Sequence, residues 1–246
     1  MHAPHERTTH RRIDQQLPAS ERRTPGTAVG QHSPVRVAAS QNEHDRPAES
    51  PERGEYRTGT TIVAVSAGDG VVMAADRRMS LGGGFTASKD VEKIEQVHPS
   101  GAVAISGTVG PAQQLLDSLR AEATLYESRR GEAMSMTALS KTAGHLIRGL
   151  PVRPLLGGVD DTGGHVYELD GGGSVIEDGY AASGSGMQLA YGVLEGRAGA
   201  GLTVEGARTA AVDAVEAASE RDAASGNGVT VATITDEGVE FQGGER

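Results

Sequence analysis

The sequence predicts a mixed α/β (α+β) protein built as a four-layer αββα sandwich, two antiparallel sheets face to face with helices on both outer faces. Two observations lead there. The predicted elements run strands, paired helices, strands, paired helices, strands, which is not the strict alternation of a doubly wound parallel sheet. Neighbouring strands are also joined by short glycine-rich turns, the connection that antiparallel pairing needs. A chain of 246 residues without cysteine is long enough to bury a core unaided by disulfides.

Order begins at Thr60. Residues 60–78 read TTIVAVSAGDGVVMAADRR, two β-rich apolar runs hinged at Gly68-Asp69-Gly70, the pattern of a hairpin. Strands follow at 93–98 and 102–106, separated by Pro99-Ser100-Gly101. Leu115, Leu116, Leu119, Ala123 and Tyr126 recur at helical spacing, so a helix covers 111–129 and stops before Gly131. A second helix is predicted at 135–148. Strands resume at 154–159, 165–169 and 174–182, with glycine turns between them. Helices at 186–196 and 203–219 precede a last hairpin, 229–235 and 239–242, turning at Asp236-Glu237-Gly238.

The first 59 residues have another texture: nine Arg, no Lys, eight acidic residues and five of the eight His, with few adjacent apolar positions. Such a stretch buries too little apolar surface to offset its ordering entropy, so residues 1–59 are predicted to be a disordered leader and 60–246 the folded domain. That domain then holds 14 basic and 25 acidic residues, the whole acidic excess of a chain with net charge -10. A binder that neutralises nucleic-acid phosphates is disfavoured by this balance. Lysine occurs only at 89, 93 and 141, a composition suited to solubility in high salt. No apolar run approaches the roughly 20 residues of a membrane helix, and the N-terminus lacks the apolar segment of a signal peptide. No membrane association and a cytoplasmic location are expected.

Several familiar motifs fail on inspection. Gly82-Gly83-Gly84 and Gly171-Gly172-Gly173 have neither the Gly-Lys-Ser/Thr ending of a phosphate loop nor Rossmann spacing, so turns account for them. Ser183-Gly184-Ser185-Gly186 lacks the first glycine of a nucleophile elbow. His98, His145 and His165, the histidines beyond the leader, are too widely spaced for a helix-borne metal pair and read as surface or turn residues.

With no cysteine and no Ser-His-Asp set, a hydrolase needs a hydroxyl whose base is not histidine. A threonine exposed as the first residue supplies one, because its free α-amine, with an unperturbed pKa of about 7.7–8.0, can take the hydroxyl proton. Arg57-Thr58-Gly59 directly before Thr60-Thr61 permits cleavage between Gly59 and Thr60. The same junction also fits a tail that simply meets a strand.

Resemblance separates these readings. Thr60-Thr61-Ile62-Val63, Asp76-Arg77-Arg78, Lys93, Ser106-Gly107-Thr108, Gly157-Gly158-Val159-Asp160, Ser183-Gly184-Ser185-Gly186, the 191–195 stretch and Arg221-Asp222-Ala223-Ala224-Ser225-Gly226 together resemble a proteasome β subunit, closest in texture to those of halophilic archaea. The likeness runs from Thr60 to about residue 242. It implies the N-terminal-nucleophile hydrolase fold and a threonine endopeptidase: Thr60 as nucleophile with its α-amine as base, Lys93 beside the hydroxyl, Asp76 paired with Lys93, and Gly107 offering its N–H to the oxyanion. Ser185, Asp222 and Ser225 would hydrogen-bond the Thr60 amine and hydroxyl. Met79, Val91, Ile105 and Val109 would line the pocket for the residue before the cut bond, and their apolar character implies chymotrypsin-like preference.

The resemblance further implies self-removal of the leader, no metal or organic cofactor, heptameric α7β7β7α7 rings shared with α and other β subunits, and unfolded proteins fed in by an AAA ATPase. Three departures stand out: Met187 where the family usually has serine, an extra glycine in 82–84, and a short 148–153 segment. A non-catalytic ring subunit is the alternative. A third reading, the simpler two-ring bacterial relative, is disfavoured by the Arg221–Gly226 stretch and the long leader.

Overall fold

The computed structural model describes residues 58–243 apart from Gly83 and Ala200. The predicted disorder of 1–57 lies outside the described residues. Thr58–Gly59, the last two residues of the predicted leader, form a short strand, β1.

The first hairpin forms as predicted, from β2 (Thr61–Ala67) and β3 (Gly70–Asp76). Its apolar run is nearly continuous because both faces are covered. Ile62 and Ala64 of β2, with Val71, Met73 and Ala75 of β3, point between the two sheets. Val63, Val65, Val72 and Ala74 point the other way, onto helices. Two short strands that sequence pattern did not predict, β4 (Met79–Leu81) and β5 (Phe85–Ser88), form a hairpin that pairs with β1 in a three-stranded sheet of order β1-β4-β5.

β6 (Ile94–His98) and β7 (Gly101–Ala104) lead into α1 (Val109–Arg130) and α2 (Met136–Leu146). α1 ends at Gly131 in the left-handed region, φ 74°, and the Ser135 side chain caps α2 by accepting from Ala138 N, a bond worth about 1 kcal/mol. β8 (Leu155–Asp160) and β9 (Gly163–Leu169) follow.

The predicted strand 174–182 is two strands. β10 (Val175–Asp178) pairs with β9, whereas β11 (Tyr180–Gly184) pairs with β2 in the other sheet. The chain changes sheets at Gly179, a crossing that local residue preference does not encode because both halves favour strand. α3 (Met187–Arg197), α4 (Val204–Ser219), β12 (Val229–Thr235) and β13 (Gly238–Gln242) complete the chain.

The two five-stranded antiparallel sheets, β10-β9-β8-β7-β6 and β11-β2-β3-β12-β13, enclose the inter-sheet core. α1 and α2 pack on the first through Leu115, Leu116, Leu119, Leu139 and Ile147. α3 and α4 pack on the second through Leu194 and an alanine face, Ala207, Ala211, Ala214 and Ala218. The predicted αββα order is observed. Leu119, Leu139 and Leu194 are fully buried, each contributing about 1.5–3 kcal/mol relative to exposure. Among the described residues no helix is long and apolar enough to cross a membrane.

Candidate active site

Thr60 sits between β1 and β2, almost wholly buried. Its hydroxyl donates to the Gly59 carbonyl oxygen at 2.6 Å. The Lys93 ammonium approaches the same oxygen at 3.5 Å, the outer edge of hydrogen-bond range. The Thr60 amide donates to Ser185 Oγ at 3.1 Å. A hydroxyl and a cation therefore converge on the carbonyl of the peptide bond that precedes Thr60. Gly59 is aligned by antiparallel pairing with Ser80 of β4.

Lys93 lies just before β6 and Asp76 ends β3; their side chains meet at 2.6 Å, both inaccessible or nearly so. Asp76 Oδ1 also accepts from Thr61 N at 2.8 Å, and Oδ2 from Arg78 N at 3.1 Å and Gly226 N at 2.9 Å. Four donors thus satisfy a carboxylate with no exposed surface, which is what a buried charge requires. Burial pushes the Lys93 ammonium below its ordinary value, against the opposing pull of Asp76. The pairing predicted between Lys93 and Asp76 is present.

Ser185, Asp222 and Ser225 also meet, with one difference in detail. Asp222 Oδ2 accepts from Ser185 Oγ at 2.6 Å and from Ser225 Oγ at 2.7 Å. Ser185 is the member that touches Thr60, while Ser225 Oγ lies 2.8 Å from the Thr61 hydroxyl. Of the three, Ser185 alone is hydrogen-bonded to Thr60; Asp222 is linked to it through Ser185, and Ser225 meets the next residue. Gly184, at φ 97°, passes so close to the Thr60 carbonyl that a Cβ there would lie 2.0 Å from its oxygen. Only glycine fits this backbone path.

Gly107 follows β7 and bridges to Val152, backed by the segment whose brevity stood out in the sequence. Met187 begins α3 and packs against the cluster between α3, α4 and the sheet. Of the predicted pocket residues, Met79 is on β4, Val91 is half-buried and donates its amide to the Arg77 carbonyl, Ile105 packs partly on the α1–α2 core, and Val109 is exposed at the start of α1. Two clefts of about 440 Å³ lie elsewhere, one around Gly68, Tyr180 and Leu202 and one between Glu95, Arg120 and Phe241; neither includes any of these residues.

Sequence reading assigned no role to Arg78. Its guanidinium donates to Ala223 O at 2.7 Å and Asn227 Oδ1 at 2.8 Å, so it braces the loop that carries Asp222 and Ser225. Its place beside Asp76 in Asp76-Arg77-Arg78 was the available signal. His98 was expected at a surface or turn; it does end β6 at a turn, but it is buried. Its Nδ1 faces Ser100. Among the described residues no group of three or more His, Asp or Glu is placed to hold a metal ion.

A two-sheet αββα sandwich with a threonine, an aspartate and a lysine gathered beside its second strand defines the N-terminal-nucleophile hydrolase fold. The proteasome subunit family matches residues 56–234, and the chain belongs to that family. It is 53% identical over 189 residues to proteasome subunit beta of Halorhabdus utahensis, covering 76% of this chain and 81% of the relative. Identity is 52% over 190 residues to proteasome subunit beta 2 of Haloterrigena turkmenica, 76% of this chain and 80% of the relative. It is 47% over 223 residues to the Halorubrum lacusprofundi beta subunit, 88% and 91%.

Proposed function

We propose that this chain is a catalytic β subunit of a proteasome core particle, an N-terminal threonine endopeptidase that removes its own leader. The observation that carries the reading is the convergence of the Thr60 hydroxyl and the Lys93 ammonium on the Gly59 carbonyl oxygen. In the first reaction Thr60 Oγ bonds to the Gly59 carbonyl carbon and the Gly59–Thr60 C–N bond breaks. The hydroxyl proton ends on the departing nitrogen, and water then hydrolyses the resulting ester. Lys93 favours the negative oxygen that develops on Gly59, and Asp76 offsets the cost of keeping that cation buried.

Once cleaved, the Thr60 nitrogen is an amine whose ordinary pKa of about 7.7–8.0 suits it to take the proton from its own hydroxyl. Ser185, held by Asp222, already faces that nitrogen. The hydroxyl attacks a substrate carbonyl, the Gly107 N–H stabilises the oxyanion, the amine product leaves with the proton, and water frees the acyl group. Met79, Val91, Ile105 and Val109 form the pocket for a large apolar residue, since no charged side chain is among them. Cysteine is absent from the chain and no cofactor is required by these steps.

The relatives' names support assembly into a proteasome particle; stacked heptameric rings of α and β subunits, an AAA ATPase partner, unfolded-protein substrates and a cytoplasmic location are part of the same proposal. The test is intact-mass measurement with hydrolysis of a hydrophobic peptide reporter. Wild-type particles should contain a chain beginning at Thr60 and cleave the reporter, and Thr60→Ala should keep its leader and be inert. A full-length, inert wild-type chain in assembled rings would make it a structural subunit instead.

A further inference from the structure

Two buried serines that the proposed chemistry does not use lie behind the site. Ser106 Oγ and Ser183 Oγ are 2.9 Å apart, and each reaches the Arg153 carbonyl oxygen, at 2.7 and 2.8 Å. Two protons serve three close oxygens: either both hydroxyls donate to the carbonyl, or one donates to the carbonyl and one to its neighbour. Both side chains are almost fully buried, where an unpaired hydroxyl is costly, so the cluster is held as a unit.

Its position gives it a task. Ser106 follows β7 of one sheet and immediately precedes Gly107; Ser183 is in β11 of the other sheet, two residues before Ser185. Arg153 belongs to the segment that backs Gly107: Arg153 N donates to Ser106 O at 2.9 Å, Thr108 N donates to Pro151 O at 3.1 Å, and Gly107 bridges to Val152. The Arg153 carbonyl is therefore the point where the Gly107 loop and the Ser185 strand are tied together across the two sheets.

We propose that Ser106 and Ser183 are positioning residues that, through the Arg153 carbonyl, set the Gly107 loop at its working distance from Thr60 and Ser185. The inference rests on the peptidase reading above. Neither serine touches the reacting atoms; each acts on where Gly107 and Ser185 sit. Misplacement of a donor by about 1 Å costs on the order of 100-fold in rate, so partial loosening should cost about tenfold.

The experiment uses assembled particles carrying Ser106→Ala, Ser183→Ala or both, with Ser100→Ala as the control. Ser100 loses a comparable bond, Oγ to Val159 O at 2.7 Å, at the opposite end of β7. The expected result is a kcat about tenfold lower with KM unchanged for each single variant, and a double variant far less impaired than the product of the two. A peptide aldehyde, which forms a tetrahedral adduct, should lose affinity in the same proportion. Ser100→Ala should lose thermal stability without loss of kcat. Wild-type kcat in the variants, or an equal kcat loss in Ser100→Ala, overturns the proposal. If one single variant does not assemble, the other decides alone. Inactive wild-type particles mean that the peptidase reading has failed and this proposal falls with it; active wild-type particles with active variants defeat the proposal alone.

Discussion

Gly59→Ala places one methyl group where the structure has no room. A Cβ built on Gly59 lies 2.0 Å from Ala224 Cβ, 2.4 Å from Ser80 Oγ and 2.8 Å from Ala224 Cα. Carbon atoms in contact prefer about 3.5–4.0 Å, so β1 or the Ala224 loop must move by about 1.5 Å. Ser80 Oγ can rotate away, but Ala224 obstructs through its main chain and a side chain without rotamers, so no torsion relieves that clash. The Ala224 carbonyl is held by Ser80 Oγ, and the Asp222 carboxylate accepts from Ala224 N, so moving the loop also disturbs Ser185. A shift of that size at a reacting carbonyl should slow leader release on the order of 100-fold. The assay is a time course of intact mass after assembly. A chain expressed to begin at Thr60 lacks Gly59, and its peptide hydrolysis should match that of processed wild type. Leader loss at the wild-type rate in Gly59→Ala would refute the reasoning.

Lys93→Ala should abolish both leader removal and peptide hydrolysis, and it strands Asp76 without its counter-ion, a change that costs about 3–5 kcal/mol when a buried pair is broken; denaturant titration of the assembled variant checks the second effect. Arg78→Lys should lower kcat by about tenfold, because one ammonium cannot hold both Ala223 O and Asn227 Oδ1 in the guanidinium's fixed fork; steady-state kinetics of fully processed particles read this. Two histidines should give opposite pH slopes in denaturant stability. His165 is held above its ordinary value: burial opposes the charge, but bonds to Glu177 and Asp160 outweigh it. Its stabilisation is therefore complete below about pH 6.5 and is lost as pH rises through the raised value, so His165→Gln should cost stability in acid and little in base. His98 is pushed down by burial. The unfolded chain takes up a proton that the folded one resists, so stability falls as pH drops below about 6.5, and His98→Gln should flatten that fall.

Much of this protein was legible along the chain. Residues 60–78 alternate too little to be a one-sided sheet, and both faces of β2 and β3 are indeed covered. The spacing of Leu115, Leu116 and Leu119 placed α1, and glycine turns placed the hairpins, because these signals depend on neighbours a few residues away. The approach of Lys93 to Asp76 was expected from resemblance rather than from spacing.

What sequence order alone determined is which segments are strand, helix or turn, where a polar stretch gives way to an apolar run, and that a glycine precedes a threonine at that boundary. Tertiary packing decided which strands pair: the division of 174–182 between two sheets, the docking of Thr58–Gly59 on β4, and the grip of Ser225 on Thr61 instead of Thr60. It also brought Gly226 to Asp76, 150 positions away, and Ser106 to Ser183, 77 positions away. Local residue preference reports only the torsions of a short window, whereas these contacts exist because two sheets close on a shared core and carry distant loops to the same point.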